Sequence, residues 1–247
     1  MNTTPHSAMA APEPAPAHWA LLATLLWGAL LFVVSNVAQL VAIMAWLSYQ
    51  GKPLTDMSNA LFDGNALSVA LVASMLITIA AIAAVIKLKK HSQLLDYLAL
   101  KPFATNGWWH WLLGLLAIVC MADLLLRLNP GNQNELFMQS IFASAEPKWW
   151  LWAAVMLAAP LSEELFFRGF LFKGMQTSVL GVSGTVLLTS ALWAAIHLQY
   201  DVMYIGVIFV LGTFFGYARY KTGSVLLPIL MHVIYNSIAM VQTAYGW

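Results

Sequence analysis

The chain has 247 residues, 61% of them hydrophobic and only 9% charged, with a formal net charge of +1. Soluble domains carry roughly 25% charged residues, so this composition excludes a large soluble core and implies an all-α, polytopic membrane helix bundle. A near-neutral charge gives no basis for a nucleic-acid partner, and the single cysteine, Cys120, excludes an intrachain disulfide.

Residues 1–17 contain Pro5, Pro12, Pro14 and Pro16 and cannot bury a core, which predicts a mobile tail. The tail has no Lys or Arg, and the apolar run after it is too long for the core of a secretory signal. Trp19 to about Tyr49 is the first expected span, since ~20 residues suffice to cross. Gly51-Lys52-Pro53 ends it, and residues 51–65 form a polar loop. Ala66 to Ile86 is the second span, closed by Lys87, Lys89 and Lys90. Leu94, Leu95, Tyr97 and Leu98 predict a short interfacial piece. Trp108-Trp109-His110-Trp111 is an interfacial aromatic anchor opening a third span that runs to about Leu128. Asn129-Pro130-Gly131-Asn132 signals a turn, and an amphipathic segment is expected near Leu136 to Phe142.

Trp149-Trp150 opens a fourth span reaching about Met175. A fifth runs from about Ser183 to Leu198, a sixth from Met203 to Tyr217 and a seventh from Val225 to Thr243. No internal repeat and no Gly/Ser linker divides the chain further. The expected organisation is therefore the tail, three N-terminal spans within residues 18–148, and a core of four spans over residues 149–243.

Loop charge predicts orientation. With the N-terminus inside, Lys87, Lys89, Lys90, Lys101, Arg168, Lys173, Arg219 and Lys221 fall on the inner side, against Lys52, Arg127 and Lys148 outside. Eight against three favours a cytoplasmic N-terminus, and the expected location is the cell inner membrane.

Within the fourth span lies Pro160-Leu161-Ser162-Glu163-Glu164-Leu165-Phe166-Phe167-Arg168-Gly169. Ionisable groups at membrane depth cost about 2.5–3.5 kcal/mol each on insertion scales and mark pairing or chemistry. In a helix, Glu164 and Arg168 stand at i and i+4 and can pair. Glu163 points about 100° away. One carboxylate would then be neutralised and its neighbour left available. The other polar residues in apolar runs are His197, and His232 with Asn236. Taking Met175 as the inner edge, Glu163 lies roughly 18 Å deep. His197 lies roughly 21 Å from Ser183, and His232 roughly 10 Å from Val225.

Glu163-Glu164-x-x-x-Arg168, a His about one helix hairpin later, and His232-x-x-x-Asn236 together resemble the three motifs of the CPBP family. That family comprises CAAX-protease-like and bacteriocin-processing (Abi) intramembrane endopeptidases. The resemblance covers roughly residues 149–243. Trp193 departs from it, standing four residues before His197 where the family often has Phe; the replacement is aromatic for aromatic.

Intramembrane peptide hydrolysis needs a water, a base and donors for the oxyanion. Glu163 is the candidate base, in the kind of low-dielectric pocket that suits a carboxylate to such work. His197 is placed to hold the same water and pass its proton to the leaving amine. His232 and Asn236 share a helix face and are candidate oxyanion donors. Glu164 and Arg168 support the geometry. These roles agree with what the resemblance implies. A metal reading stands beside this one: Glu163, His197 and His232 are a possible zinc set with water as fourth ligand, although the His-Glu-x-x-His spacing is lacking. The favoured reading is a metal-independent, glutamate-type hydrolase acting on a membrane-associated peptide or protein.

Each residue also has a plainer reading. Glu164–Arg168 alone could be an interfacial ion pair, His197 a packing residue, and His232 with Asn236 interhelical polar glue. Asp123 and Arg127 read as a snorkelling pair; His6, His18, His91 and His110 fall in the tail or interfaces. For the whole chain, the alternatives are a non-catalytic immunity or scaffold protein of the same fold, and a proton-coupled transporter. A transporter would more often show repeated halves or paired broken helices.

Overall fold

The computed structural model describes residues 17–104, 106–127 and 134–245. The expected tail, through residue 16, and the turn at Asn129-Pro130-Gly131-Asn132 lie outside the described residues.

Among the described residues every regular element is helical. Six helices are long and apolar enough to cross a membrane: α1 (Leu21–Tyr49), α2 (Gly64–Leu88), α3 (Trp108–Arg127), α5 (Lys148–Met175), α7 (Val202–Thr222) and α8 (Leu226–Tyr245). Between them come the short helix α4 (Asn134–Ser144) and the shorter apolar helix α6 (Gly181–Ala195). The chain is thus an all-α integral membrane bundle of about seven helices, as the composition requires.

Local chemistry sets the boundaries. Asp63 starts α2 by accepting hydrogen bonds from the backbone N–H groups of Asn65 and Ala66, at 2.9 and 2.8 Å, which satisfies two of the first-turn donors. Asp201 does the same for α7 through the N–H of Tyr204 at 2.9 Å. Gly223, at φ +65°, ends α7 in the left-handed conformation that glycine adopts without strain.

Helix α5 is the axis of the bundle: α1, α2, α6, α7 and α8 all pack on it. It is not a uniform α-helix. Two π-helical segments, Ala154–Ala158 and Leu165–Leu171, flank the α-helical turn Ala159–Glu164 that carries Glu163 and Glu164. Pro160 contributes to the first, because it has no N–H to offer the Met156 carbonyl four residues back. π-turns are concentrated at functional sites.

Packing on α5 is close. A Cβ at Gly28 of α1 would stand 2.6 Å from Leu171 Cδ2. The bundle core gathers Phe166, Phe167, Phe170 and Leu171 of α5 with Trp193, Leu211, Phe215, Leu227 and Met231. Helices α1 and α2 pair through a polar ladder: Ser35 Oγ lies 2.7 Å from Ser74 Oγ, Thr78 donates to Ser35 at 2.9 Å, and Gln39 donates to Ser74 at 3.2 Å. Such contacts hold helices together where both sides are apolar. The outward faces of α1 and α3 expose Leu22, Leu26, Val33, Val41, Leu113, Met121 and Leu124, as lipid contact allows.

Two expectations need correction. The fifth span was expected to continue through Leu198, but α6 ends at Ala195 and His197 lies in the turn over 196–199. The side chain of Asp201 caps the next helix, so the chain must leave α6 early enough to form that cap. Arg219 was counted with the inner loop charges, yet it is buried within α7. Asp123 and Arg127 do pair, at 2.8 Å, on the exposed end of α3.

Candidate active site

Three helices supply the site: α5 brings Glu163, Glu164 and Arg168; α6 and its following turn bring Trp193 and His197; α8 brings His232 and Asn236. The one-residue offset between the two glutamates sends them into different environments.

Glu164 and Arg168 have no solvent exposure at all, and Arg168 Nη1 donates to Glu164 Oε1 at 2.9 Å. The same oxygen accepts from His232 Nδ1 at 2.9 Å. Arg168 Nη2 donates to the Gly212 carbonyl at 3.0 Å, and its guanidinium lies 4.7 Å from the centre of the Trp193 ring. Gly212 makes that approach possible, because a Cβ there would stand 3.0 Å from Trp193 Cε3 and 3.1 Å from Arg168 Nη2. This centre knits α5, α7 and α8 into one polar unit inside an apolar core. A paired buried charge is tolerated where an isolated one is not.

Glu163 is only half-buried. Its Oε2 accepts a hydrogen bond from Trp193 Nε1 at 2.5 Å. His197, also half-buried, places Nδ1 2.8 Å from the Trp193 carbonyl oxygen. A carbonyl can only accept, so Nδ1 carries the proton, and the neutral ring presents its lone pair at Nε2. Trp193 therefore holds both residues, one by its side chain and one by its backbone. Its ring also meets His197 edge-on at 5.5 Å and His232 at 5.1 Å between centroids.

Asn236 Nδ2 donates to the Val155 carbonyl at 2.8 Å, within the first π segment of α5. One amide hydrogen is thereby engaged and the second is left for another acceptor. In the second π segment the Arg168 carbonyl accepts from Arg219 Nε at 3.0 Å. Each π segment thus lends a carbonyl to a side chain of a neighbouring helix.

The structure brings Glu163, His197, His232, Glu164 and Arg168 together around Trp193, and ties Asn236 to the same helix eight residues before Glu163. Among the described residues no group of three His, Cys, Asp or Glu side chains that could hold a metal ion is found. Sequence reasoning missed Trp193, Gly212 and Arg219. For Trp193 the signal was present, in the departure from Phe at that place. For Arg219 the positive-inside count concealed it, because a charge near a helix end reads as a loop charge until its burial is seen.

The fold and the buried Glu–Arg–His centre define an integral membrane protein with a polar site built inside its bundle. Residues 145–238 match the family model of type II CAAX prenyl endopeptidases, Rce1-like. The family resemblance read from the three motifs is thus met by a family-model match over this segment. The chain is also 32% identical over 131 residues to the "Uncharacterized 24.3 kDa protein" of Escherichia coli. That match covers 50% of this chain and 58% of the relative. No solved structure matches. The family match supports a hydrolase of the CAAX-protease type.

Proposed function

We propose that the protein is an intramembrane endopeptidase that hydrolyses a peptide bond in a membrane-associated protein or peptide. The observation that carries this reading is the split between the two adjacent glutamates. Glu164 is fully buried and spent on Arg168 and His232, while Glu163 is half-exposed beside His197.

In this reading Glu163 takes a proton from water as the water oxygen attacks the scissile carbonyl carbon. The carbonyl becomes a tetrahedral oxyanion, stabilised by the second N–H of Asn236 and by His232. With Nδ1 of His232 donating to Glu164, Nε2 donates to an oxyanion only when the ring is protonated. Each such donor is worth about 3–4 kcal/mol in the transition state. His197 holds the attacking water through Nε2, and as the C–N bond breaks the proton taken up by Glu163 passes by way of that nitrogen to the leaving amine, which restores both side chains. Arg168 holds Glu164 in place. The mechanism as drawn uses no metal. The protein sits in the cell inner membrane with a cytoplasmic N-terminus. Its substrate is defined here only as membrane-associated; the prenylated CAAX ends named for the family are one class to be tried.

The test is cleavage of a fluorogenic membrane-peptide library, prenylated and unmodified, by detergent-purified protein. Glu163→Ala and His197→Ala should each lower kcat about 10²–10⁴-fold, the range for a lost general acid or base. Cleavage that survives both substitutions would overturn the assignment. A wild-type protein that binds a membrane partner and cuts nothing would favour the non-catalytic scaffold instead.

A further inference from the structure

We propose that Trp193 is a positioning residue that holds Glu163 and His197 in register through its indole N–H and its backbone carbonyl. This inference rests on the hydrolase reading for its consequence in turnover, and on geometry alone for the contact itself.

The argument begins with chemistry that other aromatic side chains lack. Of the apolar aromatic residues, only tryptophan carries an N–H donor, and it is a donor only. Trp193 is 2% exposed, and its Nε1 finds its acceptor in Glu163 Oε2 at 2.5 Å. Hydrogen bonds to an ionised acceptor are roughly twice as strong as neutral ones. The bond occupies one carboxylate oxygen and fixes the rotation of the group, which determines where the other oxygen points.

The tryptophan is itself immobilised on several sides. Arg168 lies over its ring at 4.7 Å. Phe215 packs on it at 5.9 Å between centroids, and His232 meets its edge at 5.1 Å. The missing side chain of Gly212 leaves room for it. Meanwhile the Trp193 carbonyl fixes the tautomer of His197, one helical turn along. One residue thus sets the orientation of the base and the protonated nitrogen of the imidazole. A phenyl ring at this place would retain the stacking on Arg168 and lose the donor to Glu163.

The test uses the full-length protein in nanodiscs and two variants. In an ¹⁵N–¹H spectrum, the indole resonance of Trp193 is assigned by its loss in Trp193→Phe. It should lie downfield of the other indoles and move upfield in Glu163→Gln, which keeps the tryptophan and removes the acceptor charge. In turnover assays, Trp193→Phe should lower kcat about 10- to 100-fold, as misplacement of a reacting group does, with KM unchanged within about twofold. An indole resonance indifferent to Glu163→Gln would overturn the contact. Wild-type kcat in a folded Trp193→Phe protein would overturn its role. The spectral arm needs no substrate, so it decides the contact even if the hydrolase reading fails.

Discussion

At the scale of single residues, the buried centre and the half-exposed pair answer to different measurements. Glu164 and Arg168 are both fully buried, so removing one leaves the other as an uncompensated charge in an apolar core. Breaking such a pair costs about 3–5 kcal/mol, while replacing both partners by apolar groups of similar volume is often neutral. Arg168→Met should therefore destabilise the folded protein by about that amount. The double variant Glu164→Gln/Arg168→Met should recover most of it. Unfolding in mixed detergent, read as a double-mutant cycle, measures the coupling; additive losses would mean that the pair contributes nothing as a pair. Asn236 is predicted to behave oppositely. Its one hydrogen bond to the Val155 carbonyl links α8 to α5, and such membrane bonds average about 0.6 kcal/mol. Asn236→Ala should cost little stability, yet lower kcat about 10²–10³-fold if its second N–H serves the oxyanion. Equal modest losses in both would reduce it to a packing residue.

At the scale of elements, the sequence revealed most where charge interrupted an apolar run. The three motifs stood out because Glu163, Glu164, Arg168, His197, His232 and Asn236 are polar residues in stretches that composition makes apolar. The i, i+4 spacing of Glu164 and Arg168 predicted their pair, and the 2.9 Å contact is there. The helices themselves were legible as long hydrophobic runs, to within a few residues at each end. What could not be read was the backbone between motifs. The π segments of α5 depend on how neighbouring helices press on it, and only Pro160 hinted at the first. The sharing of Glu164 Oε1 between Arg168 and His232 was hidden as well, since sequence spacing within one helix says nothing about a partner 68 residues away. Gly212 illustrates the same limit: in sequence it is one small residue in an apolar helix, and in space it is where α7 admits Trp193 and Arg168. Gly212→Ala places a Cβ about as far from Ser190 Cβ, 3.1 Å, as from the guanidinium. The helices must separate by a few tenths of an ångström, an overpacking cost of about 1–3 kcal/mol. Thermal unfolding should show that loss, and turnover should fall with it, because α6 carries both Trp193 and the turn with His197. Unchanged stability would show that α6 and α7 yield freely at this contact.

At the scale of the whole molecule, the unusual member is α6. Fifteen residues span about 22 Å, short of a hydrocarbon core of about 30 Å, whereas the 21 residues of α7 span about 31 Å. The turn that joins them therefore falls within the membrane's thickness on one side, carrying His197, Gln199 and Asp201 with it. Irregular backbone at such depth is tolerated where protein or a watery cavity surrounds it, and a site that consumes water fits that condition. Two topologies then compete. If α6 crosses, seven passes put the two ends of the described chain on opposite sides. If it turns back, α6 and α7 form a re-entrant hairpin, five full passes remain, and the ends again lie on opposite sides. Burial of Arg168 and Arg219 removes two charges from the inner loops, leaving Lys87, Lys89, Lys90, Lys101, Lys173 and Lys221 against Lys52, Arg127 and Lys148. Six against three still favours a cytoplasmic N-terminus. Lys173, at the end of α5 just before α6, then lies inside, and the α6–α7 turn lies toward the outer face. Leu198 and Val202, exposed by 74% and 85% around that turn, provide the apolar contact needed to keep it in the outer leaflet. With α6 crossing, an alkaline phosphatase fused after Trp247 should be active and a fluorescent protein fused there dark. The reverse pattern would overturn the seven-pass topology with a cytoplasmic N-terminus.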